Sequence, residues 1–342
     1  MTFARTHYQG LLLCLAISIP CWFLGNMFPL IGGPVLAILA GMLLTQFISD
    51  KTRYQAGIGF TSKKVLHYAV ILLGFGLNLN VVLLTGIQSL PIIIATISTA
   101  LFIAYLMHRT MDIPGNIAAL IGVGSSICGG SAIAASAPVL KANDEEVATS
   151  ISVIFLFNVL AALFFPMLGA YLGFDITSGD AFGIFSGTAV NDTSAVTATA
   201  STWDSMYGLG SATLDKAVTV KLTRTLAIIP ITLMLAMLYA RRNSTTESTF
   251  SFKRAFPNFI LYFILASVIT TVAMSNGISA AAFAPMKALS KFFIIMAMTA
   301  IGLNTDIVKL VKSGGKPILA GCCCWAGITV VSLAVQYVMG IW

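Results

Sequence analysis

Charge is what this chain of 342 residues has least of: Asp, Glu, Lys and Arg together make up 9%, against about 25% in ordinary soluble domains. A soluble protein of this size covers its surface with charge, so the scarcity excludes one. Disorder and nucleic-acid binding go with it, because the net charge of +7 is spread over too few, scattered residues to track phosphates. Histidine is also rare, with three residues, and no His-Glu-x-x-His or comparable nucleophile–base set occurs. The chain is therefore expected not to be an enzyme. The six cysteines do not form a metal or disulfide pattern. Cys14, Cys21 and Cys128 lie in apolar runs and Cys322, Cys323 and Cys324 are contiguous, so they read as small apolar helix residues. No metal site is expected.

Apolar sequence fills the space that charge leaves. Hydrophobic residues reach 58% and the mean hydropathy is +0.93. The apolar runs predict eleven membrane spans: Tyr8–Leu24, Pro34–Ile48, Val65–Leu84, Leu90–Met107, Asn116–Leu140, Val147–Leu172, Ala181–Ser201, Leu214–Ala240, Phe256–Met274, Pro285–Leu303 and Pro317–Ile341. Runs this long exclude barrel strands. The first run has no convincing small-x-small cleavage site and is followed by further hydrophobic spans, so it reads as a span rather than a signal peptide. The predicted class is thus an all-α polytopic membrane protein of about ten or eleven transmembrane helices.

Loop cations set an orientation. Arg5, Lys51, Arg53, Lys63, Lys64, Arg109, Arg241, Arg242, Lys253, Arg254, Lys309, Lys312 and Lys316 fall on the N-terminal side, and Lys141, Lys216, Lys221, Arg224, Lys287 and Lys291 on the other. The positive-inside rule places the N-terminus in the cytoplasm and, with eleven spans, the C-terminus outside.

The chain also repeats itself. Gly76-Leu77-Asn78 and Gly302-Leu303-Asn304 end the third and tenth spans, Asn80 or Asp306 follows, and Pro91 or Pro317 opens the next helix, all at an offset of 226. The connection from Asn80 to Leu90 has no Lys or Arg, whereas its counterpart carries Lys309, Lys312 and Lys316. A shift of seven spans is odd, so the copies face opposite ways, as in inverted-repeat secondary transporters. Residues 1–110 form a first repeat portion, 111–205 a central part with discontinuous helices, and 206–342 a second repeat portion.

Two segments carry polar chemistry at membrane depth. Gly122-Val-Gly-Ser-Ser-Ile-Cys-Gly-Gly-Ser131 makes a poor continuous helix, since each Gly costs about 1 kcal/mol relative to Ala. A break there leaves a half-helix N-terminus near Gly129–Ser131, suited to an anion or carboxylate and flanked by Ser125, Ser126, Cys128 and Gly130. Small residues also permit close helix packing, the structural alternative. In the seventh span, Asn191, Asp192, Thr193 and Ser194 interrupt an apolar run. A charge at such depth costs about 2.5–3.5 kcal/mol and needs a partner, a proton or an ion. Asp192 could carry a coupling proton or sodium ion, or pair with Lys221 or Arg224 of the eighth span. Those two cations, three apart near the outer end of their span, read slightly better as snorkelling or paired side chains than as anion ligands. Asn78, Asn304, Asn158 and His67 are second-tier candidates. Ser131-Ala-Ile-Ala-Ala-Ser-Ala and Ser194-Ala-Val-Thr-Ala-Thr-Ala are alike, which suggests two broken elements meeting at one site. The span count makes them parallel where an inverted repeat requires opposition, and one of them as a re-entrant hairpin stays open.

Taken together, Gly122-Val-Gly-Ser-Ser-Ile-Cys-Gly-Gly-Ser-Ala-Ile-Ala-Ala, Ala137-Pro-Val-Leu-Lys-Ala, Gly187-Thr-Ala-Val-Asn-Asp-Thr-Ser-Ala-Val and Gly302-Leu-Asn-Thr-Asp with Gly315-Lys-Pro resemble the signature of the YeiH-type bacterial membrane proteins, also called the sulfate exporter family. Many relatives have His-Glu or His-Asp where this chain has Asn191-Asp192, and Gln at Ala195; the carboxylate is kept and the histidine is not. The resemblance implies a secondary transporter of the inner membrane, distantly similar to sodium/proton antiporters and bile-acid symporters with crossed broken helices. The reading is a transporter of a small anion or carboxylate-bearing solute, sulfate-like among others, in the lipid bilayer, with no cofactor beyond a coupling proton or sodium ion. A homodimer stays open. A cation/proton antiporter is the alternative within transport, and a channel or intramembrane enzyme is disfavoured.

Overall fold

A computed structural model describes residues 2–28, 33–48, 52–75, 77–243, 258–305 and 315–342. Among them there is no strand. The helices are α1 (Thr2–Met27), α2 (Gly33–Leu44), α3 (Thr52–Phe60), a π-helical turn (Thr61–Val65) running into α4 (Leu66–Gly74), α5 (Leu79–Met111), α6 (Gly115–Ser126), α7 (Gly130–Leu140) and α8 (Asp144–Leu172). After them come α9 (Asp180–Ala189), α10 (Thr193–Tyr207), α11 (Ala212–Thr225), α12 (Ile228–Asn243), α13 (Asn258–Ser275), a 3-10 turn (Ala280–Phe283), α14 (Ala284–Asn304) and α15 (Gly315–Val338). Six of the described helices are long and apolar enough to cross a membrane. The outside is apolar, with Leu84, Ile94 and Phe102 all more than 60% exposed, while Lys221 and Arg224 are 0% exposed. That inversion of the soluble pattern is what lipid contact requires. The all-α polytopic class therefore holds.

The apolar runs of the sequence fall on helices, the third of them interrupted between Gly74 and Leu79, but the path of two of them is not a crossing. Asn116, at the start of α6, donates to the Glu146 carboxylate at 3.0 Å, at the start of α8. Lys141, the C-cap of α7, is separated from α8 by Ala142 and Asn143 alone. If α6 and α7 were collinear, Asn116 would lie about 36 Å from Leu140 at 1.5 Å per residue, out of reach of that carboxylate. The α6–α7 segment therefore folds back as a re-entrant hairpin. The α9–α10 segment does the same: Phe182 of α9 stacks on Trp203 of α10 at 4.0 Å, and a Cβ on Gly179 would lie 3.2 Å from Cβ of Thr213, just beyond the end of α10. The 29 residues of α8 join the open end of one hairpin to the open end of the other, so the hairpins enter from opposite faces. The two Ser-Ala motifs oppose each other, not lie parallel.

Other differences follow from this path. The stretch from Asn80 to Leu90 is helix rather than a connection, because Asn78 caps α5 by accepting from the Asn80 amide and the next residues are apolar. Pro91 lies inside α5 instead of opening it, whereas Pro317 does sit in the first turn of α15. Lys141 moves to the face where α6–α7 opens. In the repeated motif, Gly76, Asp306, Lys309 and Lys312 lie outside the described residues; so do the loop cations Lys51, Lys253 and Arg254.

Two bodies pack side by side. In one, α14 lies on α2 and α4, α1 on α2 and α3, and α13 on α4; in the other, α15 lies on α5 and α9, α11 on α9 and α10, and α8 on α6 and α10. Gly41 and Gly302 let α2 and α14 touch backbone to backbone: a Cβ on Gly41 would come 2.8 Å from the Leu303 nitrogen, and one on Gly302 3.0 Å from the Gly41 Cα. On the α9–α10 face, Lys287 of α14 pairs with Asp215 of α11 at 2.7 Å and Lys291 donates to the Gly210 carbonyl at 2.6 Å, tying the bodies together.

Overpacking at such a contact costs about 1–3 kcal/mol. Gly41→Ala is accordingly expected to lower the unfolding temperature of the detergent-solubilised protein by several degrees, while Gly59→Ala, with open space around the site, leaves it unchanged. Equal melting of the two variants would contradict the close crossing.

Candidate functional site

Both hairpin tips are places where the helix hydrogen-bond ladder is interrupted away from water, so each leaves carbonyls and amides that need partners. The first tip is Ile127-Cys128-Gly129. Gly129 has φ +70°, a conformation that glycine adopts without a Cβ clash, and this turns the chain into α7. The second tip is Val190-Asn191-Asp192, with Asp192 extended and serving as the N-cap of α10.

The tips touch. A Cβ on Gly129 would lie 3.1 Å from the Asp192 Cβ and 3.2 Å from its Oδ1. Asp192 Oδ2 accepts from the Ser194 amide at 3.0 Å and from the Ser194 hydroxyl. The Asp192 amide donates to Oδ1 of Asn158 on α8 at 3.1 Å. The carboxylate thus lies at the N-terminal ends of both α7 and α10, where the helix dipoles are positive. The N-cap of α7, Gly129, has no side chain to offer its amides.

The opposite ends, the C-termini of α6 and α9, are met by cations. Lys221 donates to the Ile127 carbonyl at 2.7 Å and to the Val190 carbonyl at 2.9 Å. Arg224 donates to Ser126 O at 2.7 Å, to Ser125 O at 2.8 Å and to Thr188 O. Each cation therefore bridges both hairpins. This corrects the expectation that Lys221 and Arg224 snorkel near the outer end of their span: α11 starts at the α9–α10 face and brings them to the tips at mid-depth. Neither makes an ion pair with Asp192, whereas Lys216 pairs with Asp180 and Lys287 with Asp215.

Summed as charges, four half-helix ends cancel at about +0.5 and −0.5 each. Two cations and one carboxylate remain, a surplus of one positive charge. Next to it lies a cavity of about 10 Å3, between Asn158 of α8 and Ser194 of α10 on one body and Ile38 of α2 and Met298 of α14 on the other. That volume takes about one water. Nδ2 of Asn158, on the cavity wall, is buried without a partner, and so are both amide atoms of Asn191 in the second tip; the two residues are 3% and 1% exposed. Such atoms cost about 1–3 kcal/mol each unless something binds them.

The structure brings together most of the residues singled out in the sequence. Ser125 and Ser126 give carbonyls to Arg224, Cys128 is buried in the tip, Gly130 starts α7, and Ser131 is exposed beside it. Thr193 and Ser194 form the first turn of α10. Asn78 and Asn304 are not part of this group: Asn78 caps α5 and Asn304 accepts from Gln55 at 3.2 Å. His67 stacks on Phe259 at 4.3 Å, inside the other body. Asn158 is more central than its lone position in an apolar run suggested. The sequence reading did not find Asp204, whose carboxylate accepts from the Thr213 and Leu214 amides at 2.9 and 3.0 Å and fixes the base of the second hairpin to α11; its spacing of nine and ten residues from those amides carries no motif.

Comparison with known proteins agrees with a membrane protein. Residues 9–321 match the family described as Conserved hypothetical protein 698. A UPF0324 membrane protein of Streptococcus pyogenes serotype M6 is 59% identical, over 98% of this chain and 99% of the relative. One from Fusobacterium nucleatum is 55% identical over 97% and 98%, and one from Streptococcus mutans serotype c 56% over 98% of both.

Replacing Arg224 by Met removes the donor from three buried carbonyls, and Lys221→Met from two. At about 1–3 kcal/mol per orphaned group, the unfolding temperature should drop steeply in both, more in Arg224→Met. Melting curves like the unaltered protein's in either variant would mean that these cations do not hold the tips.

Proposed function

This chain belongs to the Conserved hypothetical protein 698 family of membrane proteins, and we propose that it is a secondary active transporter of a small anion or carboxylate-bearing solute, coupled to a proton or sodium ion through Asp192. The observation that carries the reading is the meeting of two oppositely entering hairpin tips around a surplus positive charge. Unwound backbone at membrane depth is tolerated where it is buried or lines a cavity, and in transporters it forms the binding site.

The path of the chain supports an inverted repeat. Helix α5, the α6–α7 hairpin and α8 have counterparts of opposite sense in α15, the α9–α10 hairpin and α11–α12; α3–α4 corresponds to α14. The second copy is cyclically reordered, since its hairpin precedes α15 instead of following it. Two bodies that each hold elements of both copies can exchange accessibility by sliding, with the cavity at their contact exposed first to one face and then to the other. The ties from Lys287 and Lys291 on the α9–α10 face would have to break in that exchange. With Lys141 on the N-terminal face and, among the described residues, Lys216, Lys287 and Lys291 opposite, loop charge favours a cytoplasmic N-terminus in the inner membrane. The two buried cations weigh against a cation/proton antiporter, in which the carried ion would meet Lys221 and Arg224.

Proteoliposome flux tests this. With an imposed ion gradient, the protein is expected to accumulate a labelled small anion against its own gradient, saturably, and Asp192→Asn to lose at least about tenfold of that gradient-driven uptake, the scale of a tuned coupling group. Non-saturating downhill flux alone would make it a channel and overturn the proposal.

A further inference from the structure

The geometry points to a competition: Asp192 and the transported anion occupy the same helix N-termini, so the anion binds when Asp192 takes up a proton, and sodium has no part. The inference rests on the transporter reading of the same site. It starts from the two sides of the crossing. On the negative side, the carbonyls of Ser125, Ser126, Ile127, Thr188 and Val190, which could have coordinated a sodium ion, already accept from Lys221 or Arg224. The chain supplies its own cations there, and a sodium ion would have to displace a covalently tethered charge.

On the positive side, the carboxylate of Asp192 stands where an incoming anion would stand. It lies against Gly129, the N-cap of α7, and accepts from the first turn of α10. Two anions at one pair of helix ends repel at short range in a low-dielectric site. Protonation of Asp192 removes the repulsion and leaves a neutral group that can donate a hydrogen bond to the anion. The unpartnered Asn158 Nδ2, on the wall of the adjoining cavity and on the residue that holds the Asp192 amide, supplies a further donor. The titratable groups that face Asp192 are Cys128 from the first tip and Lys221 from α11, with Arg224 one turn further along; the cavity-lining side chains of α2, α8 and α14 carry no titratable group.

Charge counting then selects a monovalent anion. The empty site holds Lys221, Arg224 and ionised Asp192, a sum of +1. Loaded with one proton and one monovalent anion, it again holds +1, so the empty and loaded forms meet the same electrostatic barrier in moving through the membrane. A divalent anion with one proton would change that sum.

Binding to the full chain in detergent tests this, with formate, nitrate and chloride as choline salts, titrated calorimetrically from about pH 6 to 9, where all three probes are ionised. In the unaltered protein affinity should fall up to tenfold per pH unit, because each anion bound has to draw one proton onto Asp192, and one proton should be taken up per anion bound at the alkaline end. Asp192→Asn, which keeps the N-cap, should bind with no pH dependence; Asp192→Ser serves as a second capping variant with the same expectation. Replacing choline by sodium should change nothing. A flat pH profile in the unaltered protein, a retained slope in both variants, or tighter binding in sodium overturns the competition while leaving an anion site in place. Absence of binding by every probe at every pH removes the anion-site reading itself, and this inference with it.

Discussion

A backbone break in the middle of a membrane leaves strong donors and acceptors that lipid cannot satisfy, and this structure answers that constraint with one helix, α11. Its Lys221 and Arg224, one helical turn apart, reach five carbonyls on two different hairpins. Without them neither tip could stay open at depth, and the tips could not stay together. The rest of the arrangement is consequent on that contact. α8 sets the hairpins on opposite faces, Asp204 anchors the base of the second one to α11, and Glu146 anchors the base of the first to α8. The charge balance at the crossing, two fixed cations against one carboxylate, is what supports the proposed reading as an anion site.

The fold was legible in composition and local chemistry. Apolar runs located the helices that cross, because each must be long and lipid-compatible, but not α3, whose Thr52–Phe60 is too short and polar to read as a span; the glycines and serines around Gly129 together with Asn191-Asp192 located both breaks. What the sequence did not disclose was the direction of the chain after a break. A hairpin and a collinear broken helix have the same local composition, and the deciding contacts, Asn116 with Glu146 and Phe182 with Trp203, connect residues 30 and 21 positions apart. With that path misassigned, Lys141 falls on the wrong face and the two similar motifs come out parallel.

Lys221 and Arg224 show the same limit from the other side. A basic residue near one end of an apolar helix reads as snorkelling unless its partners are known, and here the partners are backbone carbonyls, which have no residue identity to recognise. Asn158 was visible as a lone polar residue in an apolar run, but its importance lies in what stands opposite. Asp192, in contrast, was identifiable from sequence because a carboxylate at depth is rare and costly whatever surrounds it.

The central claim is that the two discontinuous segments turn back and meet tip to tip. Side-specific labelling tests it most directly, with single cysteines at Arg109, Lys141 and Ser178, all exposed, introduced in a background free of the six native thiols and treated with a membrane-impermeant reagent in oriented vesicles. The account predicts that Arg109→Cys and Lys141→Cys label from the same face and Ser178→Cys from the other. Labelling of the Arg109 and Lys141 positions from opposite faces would mean that α6 and α7 pass through the membrane, and would contradict it.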